Sequence, residues 1–247
     1  RDAVEVAGQT YRGRAVVLGT GSYARSLPGL EIGGRIITSD QALQMDWVPK
    51  TAIVLGGGVI GVEFASVWTS FGTEVTIVEM MPAVLPVEDK DVSLAMERLY
   101  KKHGFNIMTS TTTTAVEKTA TGVKVTVAPW ASGKADESKK QVLEADRVLL
   151  AVGVKGRTDG LCDASLGLKV EKDHIVTDYV PGKTTSEAID YKTNLPGIYA
   201  VGDVIGPPWL AHVASEEAVL CVERIAWRKD KSKHHEPIPI DYTVIPG

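Results

Sequence analysis

Residues 51–79 read TAIVLGGGVIGVEFASVWTSFGTEVTIVE, and this stretch decides the fold. The continuous apolar run at 52–55 predicts a parallel strand that is covered on both faces. It leads into the glycine-rich segment at 56–61, and the helix that follows is predicted to end at Gly72, because glycine adopts the left-handed C-cap conformation cheaply. A second strand is predicted at 75–78, which completes a strand–helix–strand unit. The apolar residues at helical spacing are Ile60, Phe64, Trp68 and Phe71.

The segment 56–61 matches the pattern G-x-G-x-x-G, which is informative only between a strand and a helix with an acidic residue beyond them. Gly56 permits the tight turn, Gly58 lets a pyrophosphate approach the backbone, and Gly61 lets the helix pack closely on the strand. The helix start presents free N–H groups and partial positive charge to the phosphates. We therefore predict a dinucleotide site here. The alternative is a glycine-rich turn in an ordinary doubly wound fold.

Glu79 stands 18 residues after Gly61, at the end of the second predicted strand. A carboxylate at this place accepts hydrogen bonds from the adenosine ribose and repels a 2′-phosphate. Residues 80–85 contain no arginine that could hold such a phosphate. The sequence therefore favours NAD over NADP.

Periodicity predicts the remaining elements. A helix is predicted over 92–103, capped by Asp89 or Asp91. From Thr111 the period changes to two, which predicts a half-buried antiparallel strand around 123–127. The predicted inner face of the helix consists of Val92, Met96 and Leu99. Further predicted elements are a strand at 105–108, a surface hairpin at 131–140, buried strands at 147–153 and 198–203, a helix over 211–227 and a linker at 229–239.

The composition excludes several classes of partner. With a net charge of −4 over 247 residues, the chain has no basic field for nucleic acid or anionic lipid. No apolar run approaches the ~18 residues of a membrane span, so we predict neither nucleic acid nor membrane as a partner. The sequence begins without Met or a signal core and stops abruptly at residue 247, so both ends are expected to be cuts through a longer protein.

Cys162 and Cys221 lie far apart and form no CxxC-type pair. The five histidines are not arranged as clustered ligands, so no metal site is predicted. Both cysteines are expected to be small buried apolar side chains rather than reactive thiols.

Several segments resemble motifs of the pyridine nucleotide-disulfide oxidoreductases, and they occur in the order typical of that family. They are GGGVIGVEFAS at 56–66, VVLGTGS at 16–22 followed by LPG at 27–29, LAVG at 150–153, and GIYAVGD at 197–203 followed by LAH at 210–212. The segment LPVEDKD at 85–91 resembles, more specifically, the dihydrolipoamide dehydrogenase branch of the family. The resemblance covers essentially the whole chain.

The resemblance implies an α/β fold in which a Rossmann-like NAD-binding domain is inserted in an FAD-binding domain of the same type, a three-layer ββα sandwich that is incomplete at both ends. Two cofactors held in this way can pass a hydride from nicotinamide to flavin. The implied parts are the end of the first FAD segment at 1–27, the NAD-binding domain at 28–154, the second part of the FAD or central domain at 155–237, and the start of a C-terminal interface domain at 238–247.

The family motif implies a set of NAD contacts. Glu63 is implied to lie beside the nicotinamide, although a glutamate early in a helix is also favoured by the helix dipole. Thr113 is implied to touch the adenine through its backbone, although a threonine run is also good strand material. The full set of implied NAD contacts is Gly56, Gly57, Gly58, Val59, Ile60, Gly61, Glu63, Glu79, Thr113 and Gly153.

A second set of residues is implied to bind FAD. Asp203 is implied to hydrogen-bond the ribityl chain, the alternative being a turn or N-cap aspartate. Residues 210–212 are implied to present backbone N–H groups to the flavin ring, where a helix start stabilises negative charge. The imidazole of His212 is not implied as an acid–base catalyst. The implied FAD contacts are Thr20, Gly21, Ser22, Asp203, Leu210, Ala211 and His212.

Two features depart from the family pattern. Residues 154–160 read VKGRTDG, so that Gly156 and Arg157 replace the usual Pro-Asn pair and a valine replaces the usual first arginine. The family's redox-active CxxxxC pair and its catalytic His and Glu are expected outside residues 1–247. We therefore expect no catalytic residue in this chain.

The implied parent reaction is the oxidation of dihydrolipoamide by NAD through FAD and a redox disulfide. The implied substrate is carried on a domain of a 2-oxo acid dehydrogenase or glycine cleavage complex, and the full-length enzyme is expected to be a homodimer in the bacterial cytoplasm or an organelle matrix. One alternative is an NADPH-linked disulfide or mercuric reductase, which Glu79 disfavours. Another is a non-catalytic NAD-sensing module, which would not need the motif around Asp203.

Overall fold

The computed structural model describes residues 3–180 and 189–246. The chain divides into two compact units, the inserted unit Ala24–Val154 and the discontinuous unit formed by Arg1–Tyr23 and Lys155–Gly247. The strands are β1 (Ala3–Val6), β2 (Gln9–Arg12), β3 (Val16–Leu18), β4 (Ser22–Ala24), β5 (Ile36–Ile37), β6 (Thr51–Leu55), β7 (Glu74–Val78), β8 (Asn106–Met108), β9 (Thr111–Lys118), β10 (Val123–Ala131), β11 (Lys134–Ala135), β12 (Gln141–Ala145), β13 (Arg147–Leu150), β14 (Val154–Gly156), β15 (Val170–Glu171), β16 (His174–Ile175) and β17 (Ile198–Ala200). The helices are α1 (Ser39–Ala42), α2 (Val59–Ser70), α3 (Lys90–Lys102) and α4 (Ala211–Lys229), and short 3₁₀ turns span Glu137–Lys139, Ala164–Leu166 and Gly202–Ile205.

The inserted unit is built on a parallel sheet with the strand order β5-β13-β6-β7-β8. On one face of this sheet Val54 packs in a cluster with Ala65 of α2. On the other face Ile53 packs with Val125 of β10. Strand β6 is therefore buried on both sides, as its continuous apolar run predicts. This confirms the predicted α/β class with a parallel sheet, and the unit has three layers: helices, parallel sheet and antiparallel sheet.

The antiparallel sheet joins β10 to β9, β11 and β12. Val123, Val125 and Val127 are each at most 1% exposed and point to one face, as the period of two predicts. The pairing of β9 with β10 shifts register between Thr126 and Val127, which pair with Ala115 and Thr113, so β9 carries a bulge at Thr114.

Helix α2 buries only part of the apolar set predicted at helical spacing. Val62 and Ala65 are buried with Trp68, whereas Phe71 is 68% exposed. Trp68 was predicted correctly, and Phe64 lies half-buried with its ring 6.0 Å from that of Trp68. Because α2 is apolar nearly all round, spacing alone cannot select its inner face.

Helix α3 confirms one of its two predicted caps, because the Asp89 carboxylate accepts the Asp91 N–H at 2.8 Å. Its predicted inner face is confirmed only at Met96, which packs on the core, whereas Val92 and Leu99 are 48% and 43% exposed. The buried Ser93 instead donates its hydroxyl to the Leu85 carbonyl at 2.8 Å, which fixes the rotation of the helix. The side chains of α3 that pack on the core are Met96 and Tyr100.

In the discontinuous unit, β3 and β17 pair in parallel. The core of this unit contains Ala200 and Val204 together with Leu220 and Cys221 of α4. The helix predicted over 211–227 is confirmed and continues to Lys229. Separate antiparallel ladders join β1 to β2 and β15 to β16.

Cys221 is fully buried, as predicted, but Cys162 is exposed, so the prediction of a buried thiol was wrong there. Cys162 lies in the loop between β14 and the 3₁₀ turn Ala164–Leu166, which includes Gly160 with positive φ, and no strand or helix carries it inward. Within the described ranges, no helix is both long and apolar enough to cross a membrane. Over the same residues, no cluster of three or more His, Cys, Asp or Glu side chains is placed to hold a metal ion.

Candidate functional site

The turn after β6 has a backbone path that only glycine can follow. Gly56 has φ +107°, and a Cβ on it would lie 2.2 Å from the carbonyl oxygen of Ala151. A Cβ on Gly61 would lie 2.0 Å from the Gly56 carbonyl oxygen. These contacts bring the first turn of α2 directly against the end of β6. Both predicted steric roles, the tight turn and the close helix packing, are therefore visible in the structure.

Gly58 differs from its neighbours, because a Cβ on it would meet no atom within 4 Å. It is the N-cap residue of α2 and provides no side-chain cap. The geometry of an α-helix leaves its first four N–H groups without intrahelical acceptors. In α2 these groups belong to Gly58, Val59, Ile60 and Gly61, the residues implied to bind the NAD phosphates. The open space above Gly58 thus faces a helix start that suits an anion.

Glu79 lies beside this turn and is only 8% exposed. Its Oε2 accepts the Gly57 N–H at 2.6 Å, and its Oε1 accepts the Met81 N–H at 2.7 Å. The carboxylate is therefore fixed in orientation before any ligand arrives. Each carboxylate oxygen has a second lone pair, so the group can still accept ribose hydroxyls.

Three more of the residues implied to bind NAD are Gly153, Thr113 and Glu63. Gly153, with φ +104°, follows the Ala151 carbonyl that approaches Gly56. The Glu79 carbonyl accepts the Thr111 N–H at 2.9 Å, which places the start of β9, and Thr113 two residues on, near the acid. Glu63 is exposed on α2.

The electrostatic neighbour of Glu63 is a tyrosine of α3. Burial raises the pKa of Tyr100, and the charge of Glu63 raises it further. The implied contact of Glu63 with nicotinamide stays a prediction.

A second site lies in the discontinuous unit, where β3 and β17 end side by side. Ser22 Oγ donates to Asp203 Oδ2 at 2.6 Å, although 181 residues separate them. Asp203 belongs to the 3₁₀ turn Gly202–Ile205 that follows β17. Two segments implied to bind FAD are therefore joined by a direct hydrogen bond.

Arg157, which departs from the family pattern, is part of this arrangement. Its carbonyl accepts the Thr20 hydroxyl at 2.8 Å, and its N–H donates to the Gly21 carbonyl at 2.9 Å. Its Nε donates to the Ser22 carbonyl at 2.8 Å. Residue 157 thus holds the turn at residues 20–22 through three hydrogen bonds, of which only the bond from Nε depends on the arginine side chain.

The start of α4 completes the second site. Leu210 is the N-cap residue and provides no side-chain cap, so the first-turn N–H groups, including those of Ala211 and His212, lack intrahelical acceptors. His212 Nε2 lies 3.1 Å from the Pro246 carbonyl oxygen. The imidazole therefore has a structural contact, while the backbone supplies the anion-binding groups.

Sequence reasoning missed a buried acid behind this turn. Glu217, 2% exposed, accepts the Gly202 N–H at 2.6 Å and the Tyr242 hydroxyl at 2.7 Å. Burial raises the pKa of Glu217, although both hydrogen bonds act to lower it. Its inward position could have been found from spacing, since Val213, Glu217 and Leu220 recur at helical intervals and share one face.

Both sites fit the cofactors that the sequence implies. At the first, the space above Gly58 would admit a pyrophosphate beside the uncapped start of α2, with Glu79 fixed next to it. At the second, the Asp203 carboxylate and the uncapped start of α4 belong to one compact unit. The model for the pyridine nucleotide-disulphide oxidoreductase family matches residues 1–218.

Curated relatives of this chain include proteins named dihydrolipoyl dehydrogenase. The chain is 41% identical over 218 residues to dihydrolipoyl dehydrogenase of Rhizobium etli, an alignment that covers 88% of this chain and 42% of that protein. It is 35% identical over 247 residues to the mitochondrial dihydrolipoyl dehydrogenase of Pisum sativum, covering 100% of this chain and 45% of that protein. The chain therefore spans less than half the length of these relatives.

Solved structures show the same fold. LpdA from Mycobacterium tuberculosis matches with a TM-score of 0.74 and 28% identity, over 96% of this chain and 47% of that one. The flavoprotein disulfide reductase RclA from Escherichia coli matches with a TM-score of 0.74 at 23% identity, over 95% of this chain and 49% of that one, which shows likeness of fold alone. From its motifs, its fold and these matches, the chain belongs to the pyridine nucleotide-disulphide oxidoreductase family.

Proposed function

We propose that this chain is the NAD- and FAD-binding portion of a dihydrolipoyl dehydrogenase. The inserted unit holds NAD through the glycine turn at 56–61 and Glu79. The discontinuous unit holds FAD through residues 20–22, Asp203 and the start of α4. The bound cofactors supply the redox chemistry, and the chain binds and orients them.

The observation that carries the proposal is the geometry around Gly58. The open space above it faces uncapped N–H groups, and a carboxylate held by two backbone N–H groups lies beside it. This carboxylate favours a free ribose 2′-hydroxyl and opposes a 2′-phosphate. It therefore supports NAD rather than NADP, and it argues against an NADPH-linked disulfide or mercuric reductase.

The bond between Ser22 and Asp203 supports the flavin half of the proposal. A module that only senses NAD has no need of a second built site with its own uncapped helix start. FAD binding through Asp203, with Thr20, Gly21 and the residues 210–212, accounts for why these segments meet.

The remainder of the proposed activity rests on the relatives. Proteins that are 35–41% identical to this chain carry the name dihydrolipoyl dehydrogenase. The proposed parent reaction is the oxidation of dihydrolipoamide by NAD through FAD and a redox disulfide. The proposed setting is a homodimer in the bacterial cytoplasm or an organelle matrix, acting on a carrier domain of a 2-oxo acid dehydrogenase or glycine cleavage complex.

The nucleotide preference can be tested by titrating the chain with NADH and with NADPH while following nicotinamide fluorescence. We expect NADH to bind at least about tenfold more tightly than NADPH. A repulsion of ~1.4 kcal/mol between the Glu79 carboxylate and the 2′-phosphate of NADPH is enough to give that ratio. Equal affinities would contradict the role assigned to Glu79, and tighter binding of NADPH would favour the reductase alternative.

A substitution at Gly58 isolates the phosphate contact. Gly58 has φ −74°, which any residue can adopt, and a Cβ there meets no atom of another part of the chain within 4 Å. Gly58→Val should therefore leave the fold intact and abolish NADH binding, with thermal unfolding as the control. Unchanged NADH affinity in this variant would remove the phosphate-turn argument.

A further inference from the structure

The turn that carries Asp203 has an unusual support. Gly202 has φ +74°, and a Cβ on it would lie 3.2 Å from the Cβ of Ala214, so the turn packs tightly on α4. The Gly202 N–H donates to Glu217 Oε2 at 2.6 Å. Burial of a carboxylate costs free energy unless its oxygens are hydrogen-bonded. Glu217 is 2% exposed, so its hydrogen bonds must offset this cost.

The second oxygen of Glu217 is also held. Tyr242 donates its hydroxyl to Glu217 Oε1 at 2.7 Å, and the hydroxyls of Tyr191 and Tyr242 lie 2.9 Å apart. Because the Tyr242 hydrogen goes to Glu217, Tyr191 donates to Tyr242. The ring of Tyr179 packs on that of Tyr242 at 4.7 Å. This chain of tyrosines fixes the orientation of the carboxylate.

We infer that Glu217 is a positioning residue for the flavin site: its carboxylate, oriented by Tyr242, holds the Gly202 N–H and so sets the direction of Asp203. The inference rests on the proposed function, because it takes Asp203 as a flavin ligand. Asp203 is then held from two sides, by Ser22 at its carboxylate and by Glu217 at the N–H of the preceding residue, Gly202.

If the core needed only a side chain of this volume, an apolar residue would serve at position 217, since Leu220 and Val213 occupy the same helix face. A glutamate differs from an apolar residue by its hydrogen bond to the Gly202 N–H. A variant with a hydrogen-bond acceptor at position 217 should therefore keep the conformation of the turn at Gly202, and a variant without an acceptor should lose it.

The test compares FAD affinity, measured by flavin fluorescence, in Glu217→Leu, Glu217→Gln and the exposed neighbour Glu216→Gln. We expect Glu217→Leu to weaken FAD binding at least about tenfold, because it leaves the Gly202 N–H unpaired. Glu217→Gln retains an acceptor oxygen and should recover most of the affinity, while Glu216→Gln should match the wild type. FAD affinity of Glu217→Leu within twofold of wild type would overturn the inference, as would an equal loss in Glu217→Gln.

A second measurement needs neither the leucine variant nor flavin. Amide hydrogen exchange at Gly202 should be faster by about tenfold in Glu217→Gln than in Glu216→Gln, because a neutral acceptor makes a weaker bond than a carboxylate. Unchanged exchange at Gly202 would overturn the role of Glu217. Failure of the wild-type chain to bind FAD would instead defeat the flavin half of the proposed function, and the exchange rate would still decide whether Glu217 holds the turn.

Discussion

Gly58 and Gly61 belong to one turn, yet they tolerate a side chain very differently. A Cβ on Gly61 would overlap the Gly56 carbonyl oxygen at 2.0 Å, whereas a Cβ on Gly58 would stand in open space. In the proposed site the ligand needs Gly58, whereas the fold itself needs Gly61. The glycines of this one motif therefore have two different physical roles.

This difference gives a paired prediction. Gly61→Ala should lower the free energy of unfolding by about 3 kcal/mol, as expected for severe overpacking against backbone. Gly58→Ala should change it by less than about 1 kcal/mol while weakening NADH binding. Urea unfolding and NADH titration of both variants measure the two effects, and similar losses of stability in the two would contradict the assignment.

Some features of single residues were predictable from the sequence and others were not. The steric roles of Gly56 and Gly61 were predictable, because they follow from a local motif. The contacts of Arg157 and Glu217 depend on partners 135 and 15 residues away, and on backbone atoms that carry no sequence signal. The contacts implied for NAD and FAD, including those of Glu63 and Thr113, stay predictions.

At the scale of elements, helix α3 shows what a cap contributes. The Asp89 carboxylate accepts the Asp91 N–H at 2.8 Å, whereas Asp91 lies inside the first turn. Asp89→Ala should lower the free energy of unfolding by about 1 kcal/mol. Asp91→Ala keeps the backbone donor and should cost only a few tenths, on the order of 0.3 kcal/mol, from the helix dipole. Urea unfolding compares the two variants, and an equal or larger loss in Asp91→Ala would show that the cap is misassigned.

The positions of the elements were predictable, but two of their inner faces were not. Strand β6 follows from its continuous apolar run, and the inward face of β10 follows from the valines at every second position, Val123, Val125 and Val127. In α2 apolar residues surround the axis, and in α3 the inward Ser93 is selected by the Leu85 carbonyl, in the segment just before the helix. The spacing of hydrophobic residues alone therefore cannot predict which face of α2 or of α3 is buried.

The end of α4 is tied to residue 190 by an ion-pair cluster whose strength depends on pH. Asp190 Oδ2 lies 2.5 Å from both Lys192 Nζ and Arg228 Nη2, and its side chain is 4% exposed. Burial acts to raise the pKa of Asp190, but the hydrogen bonds from Arg228 and Lys192 outweigh burial and lower it below the ordinary 3.8. A lowered pKa in the folded state means that the stabilisation is present above pH 3.8 and is lost as the pH falls through the folded value.

Asp190→Asn should therefore lower the free energy of unfolding by about 2 kcal/mol at neutral pH, as expected for charge-assisted hydrogen bonds. The difference from wild type should shrink as the pH falls below about 4. Unfolding at several pH values measures it, with the exposed Glu223→Gln as a control that should stay within ~0.5 kcal/mol of wild type. A difference that persists unchanged at low pH would show that the carboxylate charge is not the cause.

At the scale of the whole molecule, one of the two compact units is made of two segments that are far apart in sequence. Residues 1–23 and 155–247 form one unit although 131 residues, Ala24–Val154, lie between them in sequence. Periodicity cannot indicate such an arrangement, because it reports only local structure. The order of the family motifs pointed to an inserted domain with boundaries at 27/28 and 154/155, and the assignment of the units to FAD and NAD remains the proposal.

In the proposed function, one chain holds two different dinucleotides at two separate sites. Equilibrium dialysis of the chain with FAD and NADH, separately and together, counts the bound molecules of each. We expect one FAD and one NADH per chain, with neither displacing the other. Competition between them for a single place, or the binding of only one of the two nucleotides, would contradict it.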